Sequence, residues 1–336
     1  MKYMSQRNSH LALEPSRYCA FCGYEIPTTP TRSASGESCC SERCRRALDA
    51  GEKPFAGRFG FKRFSTGVSA LDSLLPQGIP TNSFILLAGP EGIRHRGLQT
   101  ELLWRTLVRG DPAIIITFVD PPVAIVEHFL TFGWNVLPFL ESADLRIIDC
   151  FTSRLRDEHQ TPDHQVKWND FLGDFLDESV SIIRDTGDFR AVEDRLHVQL
   201  EDADMTGTGI VVIDSLNEAE VQGREFETKQ FIKEVRGDVC SRKFVPIFAS
   251  TTRTDDGQLA GDAAYLFDGI VEMRRTERLV EGVRLKQLSI RKLDGVRYRP
   301  HWVAYENAGA TGFQLFDPET ALQSVYGSPS IANTKQ

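Results

Sequence analysis

Short apolar runs alternate with segments of helical periodicity over most of this chain, and this alternation is its strongest constraint on fold. The runs are continuous in apolar character, which is typical of strands buried on both faces of a sheet. Helices between successive buried strands predict an α/β fold with a mostly parallel sheet flanked by helices. The predicted strands are 84–88, 113–118, 145–149, 209–213, 244–249, 269–273, 285–291 and 301–305. The predicted helices are 98–108, 122–132 and 226–240.

An acidic segment interrupts this pattern. Residues 157–204 hold 14 acidic residues against 4 basic ones and show few strand signals. Apolar side chains recur at helical spacing over 168–176 and again over 189–200. The segment is therefore predicted to form one or two amphipathic helices whose outer face is acidic and whose apolar stripe joins the core.

Glycine, proline and cysteine divide the chain into five segments. Residues 1–18 are predicted to be a flexible lead, and the polar residues 321–336 a disordered tail. A compact cysteine module at 19–48 is followed by a Gly- and Pro-containing linker at 49–63. The large α/β domain then occupies 64–320.

Charge is distributed unevenly along the chain. Residues 1–63 carry 11 Lys and Arg against 6 Asp and Glu, a net charge of +5, so the remainder carries −13 of the total of −8. A basic arm on an acidic body is compatible with nucleic-acid contact through residues 43–63, and equally with a solvated surface. No run approaches the roughly 20 apolar residues of a membrane span, and the first residues lack the apolar core of an export signal. These two absences predict a cytoplasmic protein without membrane contact.

Five of the seven cysteines cluster near the N-terminus. Cys19 and Cys22 form one closely spaced pair, and Cys40 and Cys44 form a second, with 17 residues between the pairs. Four thiolates on two short turns are typical of a closed tetrahedral Zn²⁺ site that stabilises a module too small to fold on its own core. Cys39 is a surplus thiol that could replace Cys40 in this set. Free thiols or redox sensing are the alternatives to structural zinc.

The segment 89–96 lies where a phosphate-binding loop is expected, between an apolar strand and a helical pattern. The spacing of the motif G-x-x-x-x-G-K-[ST] is intact, and Gly89 supplies its first glycine. Arg94 stands at the second glycine, His95 at the lysine and Arg96 at the Ser or Thr. The strand, loop and helix of a nucleotide site are thus predicted without the side chains that normally hold ATP.

Each of these three replacements removes one function of the loop. Arg94 carries a Cβ that penalises the left-handed backbone a glycine adopts. His95 replaces a permanent cation with a shorter imidazole that is mostly uncharged near neutral pH. Arg96 offers no oxygen with which to bind Mg²⁺. If a nucleotide or phosphate binds here, the candidate contacts are Gly89, Gly92, Arg94 and Arg96 with Asp214; a solvated basic turn is the alternative.

The cysteine module resembles small treble-clef-like and TRASH-like zinc fingers, with a CxxCG knuckle and a closing helix that carries the last cysteine. The resemblance implies structural zinc. Arg43, Arg45 and Arg46 could contact phosphate backbones, but such modules bind protein partners just as readily.

The large domain resembles the KaiC/RadA-like ATPases of the RecA superfamily over about 64–316. The segment 64–80 is similar to the start of these domains, Phe132-Gly133-Trp134 to their FGW turn, and 210–216 to their Walker B strand. Residues 292–295 resemble the K-x-R-G element that reaches a neighbouring subunit's nucleotide. The resemblance implies a RecA-like fold and partners that include signalling or transcriptional components or an active paralogue.

Measured against this family, the chain lacks several parts of the hydrolytic apparatus. The glutamate that orients the attacking water is replaced by Val119, with Asp120 following it, and the trans-acting arginine by Asp294. Asp214 and Lys292 remain, and Asp214 could hold a metal ion or serve a structural purpose. We therefore predict a regulatory or partner-binding protein that does not hydrolyse ATP. An unconventional ATP-binding protein or ATPase, using Arg94, Arg96 and Asp214, and a nucleic-acid-binding regulator are the two alternatives.

Overall fold

The computed structural model describes two groups of elements, a small cysteine module and a large α/β domain. The described residues are 19–22, 26, 29–51, 63–90, 93, 95–154, 178–185, 187–222, 225–252, 264–280, 283–307 and 309–316. The predicted lead 1–18, most of the linker, the apolar stripe at 168–176 and the tail 321–336 lie outside them.

The cysteine module is built from one hairpin and one helix. Strands β1 (Thr31–Arg32) and β2 (Ser38–Cys39) pair antiparallel, and helix α1 spans Glu42–Asp49. Ser41 caps this helix, because its side chain accepts a hydrogen bond from the backbone N–H of Cys44. The predicted closing helix is therefore present, and the last cysteine lies in its first turn.

The large domain follows the predicted alternation of strands and helices. Its first elements are β3 (Arg63–Phe64), helix α2 (Ser69–Asp72) and β4 (Ile79–Pro80). The other strands are β5 (Phe84–Gly89), β6 (Ala113–Thr117), β7 (Leu145–Asp149), β8 (Val180–Ile182), β9 (Ile210–Asp214), β10 (Ile247–Thr252), β11 (Gly269–Val280), β12 (Val283–Leu293), β13 (Val303–Asn307) and β14 (Phe313–Leu315). The other α-helices are α3 (His95–Val108), α4 (Pro122–Thr131), α5 (Leu137–Glu141), α6 (Phe189–Asp202), α7 (Leu216–Gln222) and α8 (Glu225–Val235).

Ten strands form the central sheet in the order β14-β13-β12-β11-β5-β10-β9-β6-β7-β8. Pairing is parallel from β11 to β8, and antiparallel among β11, β12, β13 and β14. The parallel strands are buried on both faces, as the continuous apolar runs predict. One face packs against α3 and α4, the other against α6 and α8. The predicted α/β fold class is confirmed.

Two local predictions differ from the structure. The acidic segment contains a helix at Phe189–Asp202, as predicted, and also the strand β8, which was not predicted. A strand of three residues gives too short an apolar run to be recognised in the sequence. The helix predicted at 226–240 ends as an α-helix at Val235 and continues as a π-helix over Arg236–Lys243. Phe244 then closes it with a left-handed backbone, φ 54°.

Candidate functional site

The candidate nucleotide site lies at the carboxyl edge of the parallel sheet. Gly89 ends β5, Asp214 ends β9 and Asp120 follows β6 by three residues. Parallel strands end at one edge, which is where open α/β sheets bind ligands. Helix α3 begins at His95 directly after the loop. The fold therefore gathers most of the predicted site residues in one place.

Arg96 forms an ion pair with both carboxylates of this edge. Its Nη1 pairs with Asp120 Oδ2, and its Nε lies 3.1 Å from Asp214 Oδ2. Ser250 on β10 donates a hydrogen bond of 3.0 Å to the other oxygen of Asp214. Asp214 is only 5% exposed, so its charge needs such partners. The side chain at the Ser/Thr position of the motif is thus a cation held between two acids.

The two acids of this cluster are stabilised by the positive charge of the Arg96 guanidinium. Burial raises the pKa of the Asp120 carboxyl, and the neighbouring charge of Asp214 raises it further, while Arg96 lowers it. Two carboxylates without Arg96 would repel each other in a partly buried space. Arg96 therefore supplies the positive charge that a bound metal ion would otherwise bring to the same oxygens.

His95 is buried beneath the loop and is uncharged at neutral pH. The residue is 7% exposed, and this burial lowers the pKa of the imidazole to about 4, against the opposing effects of Asp214 and the Ala88 backbone. Its Nε2 is buried and has no hydrogen-bond partner among the described residues. The motif's lysine position thus holds a neutral, packed ring in place of an extended cation.

Gly89 has a packing role in this structure. A Cβ at this position would lie 2.7 Å from the Met273 carbonyl oxygen and 2.8 Å from Nε2 of His95. The close approach of β5 to β11 and to the imidazole therefore requires a glycine, whether or not a phosphate binds. Gly92 and Arg94, the other predicted contacts of the loop, lie outside the described residues.

Val119 and Asp120 lie in a tight turn after β6. The Thr117 hydroxyl donates to the Asp120 carbonyl oxygen at 2.8 Å and accepts from the Asp120 N–H at 3.2 Å. The apolar side chain of Val119 can neither accept nor deliver a proton, so the position that the sequence resemblance predicts to orient the attacking water holds no base. Asp120, the remaining acid of the turn, is occupied by Arg96.

Lys292, the lysine of the K-x-R-G element, contacts its own subunit. Its Nζ donates to the Phe267 carbonyl oxygen at 2.7 Å and lies 3.3 Å from Asp294 Oδ2. Asp294, which stands at the arginine position of the family, thus pairs with the lysine two residues before it. The element offers an anion where the family offers a cation.

Two residues of the site were not predicted. Ser250 bonds to Asp214, and the amide of Gln99 on α3 donates 2.9 Å to the Ile213 carbonyl oxygen. A serine directly after the apolar run of a predicted buried strand is a usable signal for Ser250. Gln99 could not have been distinguished from a solvent-facing helical residue by its spacing.

The four predicted zinc ligands form the second candidate site. The Sγ atoms of Cys19, Cys22, Cys40 and Cys44 all lie within 4.8 Å of one another, a group that could hold a metal ion. Burial disfavours the Cys19 thiolate, but N–H groups of Cys22, Cys40 and Phe21 donate to the sulfur and lower its thiol pKa to about 6. The backbone therefore stabilises the charged form that binds metals.

Cys39, the surplus thiol, is fully buried beside this group and does not belong to it. Burial, together with the charges of the neighbouring sulfurs, raises the pKa of its thiol to about 11. Cys39 is therefore a protonated core side chain of the module, and Cys40 is the better-placed member of the set.

Comparisons with known proteins agree with the arrangement of the sheet. A family model described as "ATPase: KaiC" matches residues 64–317. A UPF0273 protein of Thermotoga maritima is 24% identical over 243 residues, which cover 70% of this chain and 89% of that protein. A UPF0273 protein of Pyrobaculum aerophilum is 33% identical over 132 residues, 39% of this chain and 47% of the relative.

A solved structure shares the fold. The crystal structure of a KaiC-like protein from Pyrococcus horikoshii matches with a TM-score of 0.57 and 15% identity, covering 76% of this chain and all of that one. At this identity the likeness concerns the fold alone.

Within the described residues, no helix is both long and apolar enough to cross a membrane.

Proposed function

We propose that this chain, which belongs to the KaiC ATPase family, is a regulatory, partner-binding protein that does not hydrolyse ATP. The observation that carries the proposal is the position of Arg96 between Asp120 and Asp214. These two acids are groups at this edge that could hold a metal ion or a water. Because a tethered cation already pairs with both carboxylates, a Mg²⁺–nucleotide would have to displace it.

Three further features support the absence of hydrolysis. His95 is neutral and buried, so it cannot compensate charge that develops between phosphates in the transition state. Val119 offers no base for an attacking water. Lys292 is bound to the Phe267 carbonyl oxygen and to Asp294, so the K-x-R-G element brings no free cation to a neighbouring site. Each feature affects a different step of phosphoryl transfer, and their effects agree.

We propose that the module at 19–48 carries a structural zinc ion held by Cys19, Cys22, Cys40 and Cys44. Four sulfurs within 4.8 Å and N–H donors aimed at one of them suit a closed thiolate site. Zinc in such a site supplies folding free energy and leaves no open position for chemistry. The module would then be a rigid surface for a protein partner or a KaiC-like paralogue.

Nucleotide binding is the measurement that tests the main proposal. We expect titration of the full chain with a fluorescent ATP analogue to give no Mg²⁺-dependent binding tighter than about 1 mM, or about −4 kcal/mol. Micromolar binding that needs Mg²⁺ would refute the proposal and favour the unconventional ATPase. Binding that is weak and independent of Mg²⁺ would indicate only a phosphate meeting exposed arginines.

A variant pair separates binding from turnover. Arg96→Thr restores the motif's hydroxyl and frees both carboxylates, so we expect Mg²⁺-dependent analogue binding to appear or to strengthen. Adding His95→Lys should strengthen it further, with circular dichroism confirming that both variants fold. Neither variant should hydrolyse ATP, because Val119 still lacks a base. Substantial turnover by either one would contradict the role assigned to position 119.

A further inference from the structure

A basic segment lies in the antiparallel part of the sheet, remote in sequence from the N-terminal arm. Residues 286–301 hold five Lys and Arg and a single acidic residue, a net charge of +4 in a chain whose total is −8. The segment comprises most of β12 and the loop that leads to β13. A concentration of like charge in an acidic protein is an electrostatic footprint for an anionic partner.

The loop displays its basic side chains on its outer side. Val296 and Tyr298 pack against the core, whereas the alternate residues Arg297, Arg299 and His301 are exposed. Alternate residues of an extended chain lie about 6.6 Å apart on one side. The three basic side chains therefore form a row.

Both arginines of this row are anchored through their backbone and have no counter-ion among the described residues. The N–H of Arg297 donates to Gln77 Oε1 and that of Arg299 to the Leu74 carbonyl oxygen, each at 3.0 Å. No carboxylate in the described part of the chain forms an ion pair with either guanidinium. Their backbone is held in place, and their exposed guanidinium groups are open to an incoming anion.

The planar guanidinium of Arg274 on β11 stacks on Trp302, which directly precedes β13. The guanidinium of Arg274 lies 3.9 Å from the ring centroid of Trp302, and its Nε donates to Gln287 Oε1 at 3.0 Å. Arg274 is exposed, so its outer face is available for stacking. Nucleic-acid bases stack on aromatic rings and on guanidinium planes.

We propose that this surface, made of Arg297, Arg299, His301 and the Arg274–Trp302 stack, binds single-stranded nucleic acid. The guanidinium groups would pair with phosphate oxygens, for which Arg is suited by its fork of donors. The Arg274 plane would receive a base, and a duplex, whose base faces are hidden, cannot use it. The proposal is independent of nucleotide binding at the edge that holds Arg96.

Fluorescence anisotropy with a labelled 30-nucleotide oligo-dT tests the surface on the full chain. We expect Arg297→Ala/Arg299→Ala to weaken binding at least about 10-fold and to reduce the magnitude of the salt slope by about 1.4, or roughly 0.7 per lost phosphate contact. Arg297→Lys/Arg299→Lys should keep the slope. The matched control is Arg184→Ala/Arg195→Ala, which removes the same charge from two exposed arginines near the opposite edge of the sheet and should change neither quantity.

Four outcomes would overturn the proposal. They are no binding of the oligonucleotide by the unmodified chain, unchanged binding by the Arg297/Arg299 alanine variant, an equal loss in the matched control, and tighter binding of a 30-base-pair duplex than of the single strand. Arg43→Ala/Arg46→Ala in the full chain completes the design, because a loss confined to that variant would assign binding to the N-terminal module instead.

Discussion

Replacing Arg96 by methionine should expose how much the fold depends on this built-in cation. Methionine keeps most of the aliphatic part of the arginine side chain, so the change removes mainly the positive charge and the guanidinium N–H donors. Removing one partner of a buried ion pair costs about 3–5 kcal/mol. The Arg96 side chain is 33% exposed and that of Asp120 25%, so solvent screens part of the interaction. The Asp214 side chain, 7% exposed, is hardly screened, and among the described residues Ser250 is the hydrogen-bonding side chain that it keeps. We expect a loss of about 2–3 kcal/mol.

Thermal unfolding followed by circular dichroism measures this loss, and its pH dependence identifies its cause. At roughly 2–4 °C per kcal/mol for a domain of this size, the melting temperature at pH 8 should fall by about 5–10 °C. The pKa of Asp120, already raised by burial and by Asp214, rises further without Arg96. A carboxyl whose folded pKa is raised stabilises the fold as pH decreases, so the deficit of the variant should shrink at pH 5.

Two controls accompany the experiment. Arg291→Met removes a more exposed arginine, 44% accessible and 3.2 Å from Glu272, and should cost less than about 1 kcal/mol. Asp214→Asn in the Arg96→Met background removes the unpaired charge and should recover part of the loss. The reasoning is refuted if Arg96→Met costs under about 0.5 kcal/mol, or if its deficit is the same at pH 5 and pH 8.

Three other predictions concern separate parts of the molecule. Burial lowers the pKa of His95 to about 4, so protonation of this residue in the unfolded state should lower the free energy of unfolding by up to about 3 kcal/mol between pH 6.5 and pH 4. His95→Gln should remove this pH dependence from a series of denaturant titrations. Burial, together with Glu234, raises the pKa of Glu193 to about 8, so the wild type loses stability as the pH rises from the unfolded pKa toward 8. Glu193→Gln should therefore raise the melting temperature more at pH 9 than at pH 6, and leave it unchanged at about pH 4, where the carboxyl is protonated in both states. Metal analysis should return about one zinc per chain, retained in Cys39→Ala and lost in Cys22→Ser; retention in the latter would exclude the four-cysteine site.

The fold was predictable because its determinants are local in sequence. Each buried parallel strand is a continuous apolar run, and the strands β5, β6, β7 and β9 begin and end within one residue of their predicted bounds. The short strand β8 was missed because its pairing with β7 depends on a tertiary contact, which three residues cannot signal. The π-helix at 236–243 was missed for a related reason, since its widened turns follow the periodicity of an α-helix only approximately.

The sequence predicts that the residues of this edge lie near one another, but it does not predict the contacts that they make. Motif spacing places His95, Arg96 and Asp214 near one another, because the strand and helix that carry them have fixed positions in this sheet. Spacing cannot show that Arg96 turns toward two acids, since an arginine at that position could equally extend to solvent. That choice depends on the burial of Asp214 and on Ser250 occupying its other oxygen, which are properties of four elements packed together.

A tethered cation at this edge changes how the domain responds to its surroundings. A protein that binds nucleotide in its native state gains RT ln(1 + [L]/Kd) of stability, so its conformational balance follows nucleotide concentration. Here Arg96 is covalently attached, and its ion pairs with Asp120 and Asp214 are present at every nucleotide concentration. In the proposed function the conformation of this edge is therefore independent of ATP, and regulation enters through other surfaces. The cysteine module and the basic row at 297–301 are two surfaces for which the described residues provide a specific chemistry.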